Sequence, residues 1–256
     1  MTPVLAFDIE TIPDVEGLRL LHGLDATIPD KGVADMAFQL RRQTSGSDFL
    51  PLHLHRVIVI SCALRERDSF KVWSIGGASE GELIQRFFEG IERYTPQLVS
   101  WNGGGFDLPV LHYRGLIHHV KAPRYWDTGE DNRDFKWNNY ISRYHQRHLD
   151  LMDFLSLYQL RGAAPLGDLA RLMGLPGKLG LEGAGVWDAY QAGKLADIRN
   201  YCETDVVNTY LVFLRFQLMR GALTEQQHKA EGEVVRSVLK KSTDSHWKEF
   251  LSKWRA

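Results

Sequence analysis

The sequence contains little cysteine and no excess of charge of either sign. Two cysteines in 256 residues, Cys62 and Cys202, do not form a disulfide framework, so a reducing cytoplasm is the simpler expectation for the location of the protein. The formal net charge is −1, which excludes a basic field over the whole chain that would attract nucleic acid. Binding of nucleic acid would therefore depend on local basic patches or on bound cations.

Long apolar runs, a basic leader segment, repeats and low-complexity segments are also missing from the sequence. We therefore expect no signal peptide, no membrane span and no membrane partner. The chain is 44% hydrophobic and 25% charged, which is typical of a soluble globular protein with one large domain and some additions.

The order of predicted elements favours an α/β fold with a mixed five-stranded sheet flanked by helices. Strands are predicted from Val4 onwards, over 56–66 and 69–75 as a hairpin, over 97–101 and over 148–152, with helices over 80–94, from 107 to about 115, and in pieces up to 221. We predict a main domain over 1–221, with irregular excursions at 13–55 (one helix near 32–43) and 118–148, and a helical extension over 222–256. Such a sheet places active groups at strand ends, near a switch in strand order.

The first strand ends, in this interpretation, with two carboxylates. In the stretch VLAFDIET, Asp8 and Glu10 are two residues apart, so their side chains point the same way and lie close together. Like charges at the edge of an apolar core repel each other and are costly to desolvate unless a cation binds between them. The alternative is a strand end that frays into solvent.

A second acidic motif is the stretch WNGGGFDLP, from Trp101 to Pro109. Taken alone it favours a flexible strand-to-helix turn in which Asp107 caps the helix and Pro109 fits its first turn. A phosphate-binding loop is less consistent with these residues, because neither GxGxxG nor GxxxxGK[ST] is present.

The third motif lies in a helical pattern, where Asp205 interrupts an otherwise apolar stripe and Tyr201 precedes it by one turn on the same face. A carboxylate in such a place is rare unless it is paired or binds a metal. An ion pair with Arg199 or Arg215 is the alternative, although neither arginine shares the face of Asp205.

Together the motifs supply four carboxylates from separate parts of the chain, Asp8, Glu10, Asp107 and Asp205, without histidine or cysteine. Such a set suits hard, oxygen-binding ions, and we expect two divalent cations, Mg²⁺ or Mn²⁺, as cofactors. Two such ions about 4 Å apart can clamp the attacking and leaving oxygens of a phosphodiester during hydrolysis.

In this order the motifs resemble Exo I (Asp-x-Glu), Exo II (Asn-x3-Phe-Asp) and Exo III (Tyr-x3-Asp) of the DEDD 3'–5' exonucleases. Between about residues 4 and 216 the chain is similar to the proofreading domain of family B DNA polymerases, and in particular to stand-alone exonucleases of that kind. The resemblance implies a ribonuclease H-like fold. It also implies the tyrosine type, because Asn200 stands where the histidine type has histidine and Tyr201 fits the tyrosine motif.

Carried over by position, the resemblance implies that Asp8, Glu10, Asp107 and Asp205 hold the two metals and that Tyr201 orients the attacking water. It also implies that Thr11, Asn102 and Phe106 contact the substrate, Phe106 by stacking on a base. Loop capping for Asn102 and core packing for Phe106 remain as alternatives. Lys178, in LPGKLG, is a further candidate for a phosphate contact, with a solvated loop lysine as its alternative.

The expected function is a metal-dependent 3'–5' exonuclease on single-stranded nucleic acid 3' ends, with DNA favoured over RNA and nucleoside 5'-monophosphates as products. An exoribonuclease is one alternative, because the metals bind phosphate rather than sugar. A non-catalytic nucleic-acid-binding module is another, but it would be expected to have lost a ligand. The sequence does not identify a protein partner, and a partner-binding role for the C-terminal helix is the alternative to its packing on the main domain.

Three further features keep open interpretations. The segment 118–148 interleaves basic and aromatic residues, including Trp126 and Trp137, which suits either a single-strand platform or a lid over the core. His53 and His55 are interpreted as structural, and Asp150 as a strand-end cap or an addition to the acidic cluster. A C-terminal apolar stripe, Trp247, Phe250, Leu251 and Trp254, is expected to pack on the main domain.

Overall fold

The computed structural model describes residues 2–180 and 183–255. In them five strands form one sheet: β1 (Val4–Pro13), β2 (His55–Glu66), β3 (Ser69–Ser74), β4 (Gln97–Ser100) and β5 (His148–Asp150). The order across the sheet is β3-β2-β1-β4-β5; β2 is antiparallel to β1 and β3, whereas β4 and β5 are parallel to β1. The predicted mixed five-stranded sheet is confirmed.

Helices cover both faces of this sheet. The described residues contain eleven α-helices: α1 (Val15–His22), α2 (Asp30–Ser45), α3 (Glu80–Tyr94), α4 (Asp107–Ile117), α5 (Pro123–Trp126), α6 (Leu151–Leu155), α7 (Leu166–Leu172), α8 (Val186–Gln191), α9 (Leu195–Met219), α10 (Glu225–Lys241) and α11 (Ser245–Lys253). None of them, within the described ranges, has the length and apolar character needed to span a membrane. The predicted helix over 80–94 is confirmed, and it begins after Ser79, whose hydroxyl accepts a hydrogen bond from the Glu82 N–H.

Two hydrophobic layers hold the helices to the sheet. On one face α9 packs Val206 and Tyr210 against Ala63 and Val99. On the other face, Phe87 of α3 and Leu111 of α4 belong to a second cluster. The strand residues of this cluster alternate along β1 and β2 with those of the first cluster; they include Leu5, Phe7, Ile60 and Cys62. The central strand β1 is therefore covered on both sides, as the apolar residues of VLAF predict.

Strand β1 continues past both of its carboxylates, so the prediction that it ends there is wrong. Its pairing with β2 runs to Pro13 through a β-bulge, because Glu10 faces Val59 whereas Thr11 faces Val57. On the other edge, β4 pairs with only Val4–Ala6. Beyond Ala6 that edge of β1 is open to other partners, and the carboxylates lie beside this opening.

The excursion at 13–55 is more regular than predicted, because it contains α1 and α2. These helices enclose a small core of their own around Leu18, Val33 and Ala37, which is joined through Trp187 to α8. The helical pattern is weak in the sequence because α1 is short and exposes Leu20 and Leu21, which are 83% and 61% accessible.

The C-terminal helices pack onto the sheet domain. The aromatic stripe, Trp247, Phe250 and Trp254, is buried in the same cluster as α9, which agrees with the expected packing. Arg65 of β2 also pairs with Glu231 of α10 at 2.7 Å. The boundary near 221 stays a prediction, and Ala256, to which the tail was predicted to run, lies outside the described residues.

Candidate active site

Strand β1 brings Asp8 and Glu10 to one point of the sheet. One carboxylate oxygen of Asp8, one of Glu10 and the Cys202 sulfur of α9 lie within 4.8 Å of one another. Glu10 is 8% exposed, and the strand continues past it, so the alternative of a fraying strand end is wrong.

Helix α4 brings Asp107 to the open edge of β1. Asp107 is the first residue of α4, and its Oδ1 accepts a hydrogen bond from the Ile9 N–H at 3.1 Å. The interpretation of Asp107 as a helix cap is therefore wrong, since Phe106 holds the capping position and makes no side-chain cap. The side chain of Asp107 therefore points to β1, where it is bonded to Ile9, the residue between Asp8 and Glu10.

Asp150, the last residue of β5, holds the loop 101–106 between β4 and α4. Asp150 Oδ1 accepts a hydrogen bond from the Asn102 N–H at 2.9 Å, and Oδ2 accepts one from the Gly104 N–H at 2.8 Å. Asp150 also accepts hydrogen bonds from the first N–H groups of α6, so it is a strand-end cap rather than a member of the acidic cluster. Asn102 has a φ of 66°, a left-handed conformation that asparagine tolerates better than most residues.

Helix α9 presents Tyr201 and Asp205, both at least 96% buried, to the same region. Lys178 Nζ donates a hydrogen bond to Tyr201 Oη at 2.7 Å and lies 3.3 Å from Asp205 Oδ2. The ion-pair partner of Asp205 is therefore Lys178 and not Arg199 or Arg215, and Lys178 belongs to the site rather than to a solvated loop. The other oxygen, Asp205 Oδ1, is buried without a hydrogen-bond partner among the described residues.

Burial and mutual repulsion disfavour the charged forms of these acids. Burial, with the neighbouring Asp107 and Asp205 charges, raises the pKa of Asp8 well above its ordinary value, and burial with the Asp8 charge does the same for Glu10. Burial raises the pKa of Asp107 to about 7 and also raises that of Asp205, against the opposing effect of Lys178. Burial lowers the pKa of Lys178, but Asp205 and Asp8 outweigh it and the net change is upward, so the lysine stays charged.

The residues present fit a divalent-cation site. Lys178 is paired with Asp205, and its ammonium also interacts with the Asp8 and Glu10 charges, so one lysine faces several carboxylates. Asp205 Oδ1 is buried and has no hydrogen-bond partner among the described residues, so negative charge is left that a bound cation would compensate. Oxygen donors of this kind match Mg²⁺ and Mn²⁺. The acids that would hold these ions are Asp8, Glu10, Asp107 and Asp205.

Aromatic side chains lie next to the acidic cluster, on the side of Thr11. The Thr11 hydroxyl lies 2.9 Å from His55 Nδ1. The ring of Phe106 is 5.1 Å from that of His55 and 5.6 Å from that of Phe49, centre to centre. Phe49 is 53% exposed and Phe106 is half-buried, so the cluster opens to solvent.

Sequence reasoning missed three neighbours of the site. His55 was interpreted as structural and Phe49 was not singled out; the available signals were the alternating histidine pair and an aromatic residue in a polar segment. Cys202 was noted only as a free cysteine. Its position between Tyr201 and Asp205 on the helix was a usable signal, because neighbouring helix residues share the surroundings of the metal ligands.

The segment 118–148 contains buried aromatic residues, which a lid over the core requires, and exposed ones, which a single-strand platform requires. Tyr125, Phe135 and Tyr140 are buried in the core, as a covering segment would require. Trp126 and Trp137 are 49% and 78% exposed, and Lys136 lies over the Trp137 ring at 5.3 Å. The exposed pair remains available for a platform.

Comparisons with known proteins place this geometry in a family. A family model described as a predicted 3'–5' exonuclease related to the exonuclease domain of PolB matches residues 47–254. This range includes Asp107, Tyr201 and Asp205. Asp8 and Glu10 precede the matched range and lie on β1, which brings them close to the other acids.

Among solved structures, the chain is similar to the family B DNA polymerase from the hyperthermophilic archaeon Pyrobaculum calidifontis, at 16% identity and a TM-score of 0.49. The match covers 86% of this chain and 25% of the polymerase, so the chain spans about a quarter of that protein's length. A comparison with the curated proteins finds no match. With its family model matched over most of its length, the chain belongs to the family of predicted 3'–5' exonucleases related to the exonuclease domain of PolB.

Proposed function

We propose that this protein is a metal-dependent 3'–5' exonuclease that shortens single-stranded DNA and releases nucleoside 5'-monophosphates. The observation that carries the proposal is the cluster of Asp8 with Glu10, Asp107 and Asp205, whose charges act on one another. One oxygen of Asp205 is buried without a partner among the described residues, and one lysine lies beside the other. Membership of an exonuclease-related family supports the reaction class. The substrate, the polarity and the metal requirement are the parts that experiment must test.

The acids would act as ligands. Asp8, Glu10 and Asp205 would hold one divalent cation, and Asp8 would share a second with Asp107. When bound, the two cations acidify the attacking water and stabilise the charge that develops on the leaving oxygen. The hydrogen bond from Ile9 to Asp107 would keep that carboxylate turned toward β1.

Tyr201 and Lys178 would act on the reacting groups without exchanging protons. Burial, and then the Asp205 charge, raise the pKa of Tyr201, so its phenol stays neutral and can orient the attacking water by hydrogen bonding but cannot remove its proton. The charged Lys178 ammonium, already bonded to Tyr201, would attract the scissile phosphate.

Substrate recognition would fall to the loop before α4 and to the cluster beside Thr11. Phe106 and its neighbour Phe49 can stack on the terminal bases, a contact that tolerates any base sequence. The main-chain N–H of Asn102 is bonded to Asp150, whereas its side-chain amide makes no hydrogen bond with the described residues and could contact the nucleotide. Because the acids are buried, a 3' terminus must be splayed from its complement to reach them, which favours single strands over blunt duplex.

The test is digestion of end-labelled single-stranded DNA and RNA side by side, in Mg²⁺, Mn²⁺ or excess EDTA. We expect mononucleotide release from the 3' end of DNA with either metal, none in EDTA, slower cutting of blunt duplex, and none from an Asp8→Asn variant. Activity in EDTA, or release from the 5' end, would refute the proposal. Faster digestion of RNA would replace DNA by RNA as the substrate.

A further inference from the structure

A thiol lies inside the acidic cluster. Cys202 is fully buried on α9, and its Sγ lies 3.5 Å from Asp8 Oδ2 and 3.5 Å from the Asp8 main-chain oxygen. One ligand atom from each of Asp8, Glu10 and Cys202 can be enclosed within 4.8 Å, a spacing from which three groups can reach a single ion after small side-chain movements.

An independent observation at the same place also points to a bound ion. Asp205 follows Cys202 by three residues, which places both on one face of α9. Asp205 is 4% exposed, its Oδ2 faces Lys178, and its Oδ1 has no hydrogen-bond partner among the described residues. The Asp205 charge acts on Asp8, on Glu10 and on Cys202, so a further donor lies close to the three ligand atoms.

The other cysteine provides a contrast within the same chain. Cys62 of β2 is equally buried, but it lies in the apolar layer between the sheet and α3, among Leu5, Phe7 and Leu64. Burial alone raises the pKa of the Cys62 thiol, whereas burial and then the Asp8 and Glu10 charges raise the pKa of the Cys202 thiol, so that a bound cation would have to displace its proton. The two thiols thus have the same exposure and different neighbours.

We infer that Asp8, Glu10 and Cys202 form a mixed sulfur and oxygen site for a borderline-soft divalent cation, of the class of Zn²⁺, Co²⁺ or Cd²⁺. Thiolate sulfur together with carboxylate oxygen is a donor set of Zn²⁺ sites, whereas Mg²⁺ binds oxygen. On binding, the S–H bond breaks, its proton leaves to solvent, and the sulfur electron pair forms the metal–sulfur bond.

This selectivity has a consequence for catalysis. Asp8 and Glu10 are also the proposed ligands for Mg²⁺ or Mn²⁺, so a thiophilic ion that takes them would displace the catalytic ions and inhibit the nuclease. The inhibition rests on the proposed function, whereas the site itself does not, because it can be observed without any nucleic acid.

Co²⁺ titration followed by absorbance distinguishes the two cysteines. We expect one equivalent of Co²⁺ to give a thiolate-to-cobalt charge-transfer band with the unaltered chain and with Cys62→Ala, and no band with Cys202→Ser. Absence of the band from the unaltered chain, or its persistence in Cys202→Ser, would overturn the inference. If Cys202→Ser does not fold, Asp8→Asn takes its place: it keeps the thiol, and unchanged Co²⁺ affinity in that variant would overturn the inference.

The nuclease assay in Mg²⁺ with added Zn²⁺ separates this inference from the proposed function. A charge-transfer band without any nuclease activity would support the metal site and refute the proposed function. Nuclease activity without the band would support the proposed function and refute the sulfur-containing metal site. We expect both, with inhibition by Zn²⁺ at concentrations far below that of the Mg²⁺ present.

Discussion

Tyr201 owes its position to a pair of charges rather than to packing alone. Its hydroxyl accepts a hydrogen bond from Lys178 Nζ at 2.7 Å, and the same ammonium lies 3.3 Å from Asp205. The phenol is thus held beside the Asp205 carboxylate by a shared lysine. Its contribution to catalysis should be separable from metal binding.

Tyr201→Phe tests this separation, because it keeps the ring and removes only the hydroxyl. We expect kcat on a labelled single strand to fall roughly 10- to 1000-fold, the effect of losing one oriented hydrogen-bonding group. Calorimetric titration should show Mn²⁺ binding largely retained. Asp8→Ala is the matched comparison and should lose both activity and two-metal binding. A normal kcat in Tyr201→Phe would mean that the hydroxyl has no part in positioning water.

Asp205, a proposed metal ligand, is buried at a cost in free energy. Its charge is removed from water and only one of its oxygens is paired, so the metal-free protein bears a desolvation cost. We expect Asp205→Asn to abolish activity while raising the melting temperature of the protein in EDTA. Lys178, at 38% side-chain exposure, can turn to solvent when its partner is lost. A lower melting temperature in EDTA would show that the ion pair outweighs the desolvation cost.

At the scale of elements, β5 supports the loop that carries Asp107. The Asp150 carboxylate receives N–H groups from both Asn102 and Gly104, so a single side chain sets the conformation of the loop between β4 and α4. Removing it leaves the Asn102 and Gly104 N–H groups without their acceptor, in a partly buried loop. Asp107 would then be held by its place in α4 and by the hydrogen bond from Ile9, but no longer by a fixed loop before it.

Asp150→Ala should therefore lower kcat and raise KM together, because the loop that Asp150 holds carries the proposed metal ligand Asp107 as well as the proposed substrate contact Asn102. We expect a loss of about 1–3 kcal/mol in the free energy of unfolding as well. Asp150→Asn keeps one acceptor oxygen and should recover part of kcat. Equal kcat in both variants, measured after circular dichroism has established folding, would leave Asp150 as a cap of α6 only.

The aromatic cluster of Phe49, His55 and Phe106 is predicted to contribute to substrate affinity and not to the chemical step. Phe49 is half-exposed and packs against Phe106 and His55 without reaching the acids. We expect Phe49→Ala to raise KM on single-stranded DNA about 5- to 150-fold and to leave kcat nearly unchanged, since base stacking is worth about 1–3 kcal/mol. Trp137→Ala is a parallel variant in the 118–148 segment. An unchanged KM in Phe49→Ala would return the cluster to a packing role.

At the scale of the whole molecule, the features predictable from sequence are those set by neighbouring residues. The periodicity of α3 and the alternation of β2 and β3 are local patterns, and they predicted the elements closely. The three acidic motifs were likewise visible as local departures from apolar patterns.

The features that the sequence did not predict depend on contacts between distant segments. The extension of β1 to Pro13 requires the bulge opposite β2, about fifty residues away in the chain. Cys202 meets Asp8 across a separation of 194 residues, and the lysine partner of Asp205 comes from a loop rather than from its own helix. Side-chain proximity of this kind has no local signature.

Burial of acids also makes the stability of the whole molecule depend on pH. The pKa of Asp107 is raised to about 7, and those of Asp8, Glu10 and Asp205 are raised as well. A folded state with raised carboxyl pKa values binds more protons than the unfolded state, so these groups lower stability as pH rises from about 4 through the folded pKa values. For Asp107, a change from 3.8 to about 7 corresponds to about 4 kcal/mol lost above pH 7.

Buried histidines act in the opposite direction, and the measurement must separate them. Burial lowers the pKa values of His112 and His148 to about 4, so their folded forms bind fewer protons and contribute stability that increases between about pH 4 and 6.5. Both histidines are present in the unaltered chain and in Asp107→Asn. The difference in unfolding free energy between these two proteins therefore cancels the histidine effect.

We expect that in EDTA the stability of Asp107→Asn, relative to the unaltered chain, increases between pH 4 and 8. The asparagine carries no charge to desolvate at either pH, whereas Asp107 must ionise against its burial. Chemical denaturation at constant ionic strength measures the difference. Adding Mn²⁺ to the unaltered chain should raise its stability at pH 8 much more than at pH 5, because protons compete for the same oxygens. A difference between the two proteins that is flat in pH would mean that Asp107 is ionised throughout, and an equal Mn²⁺ effect at both pH values would mean that the cation binds elsewhere.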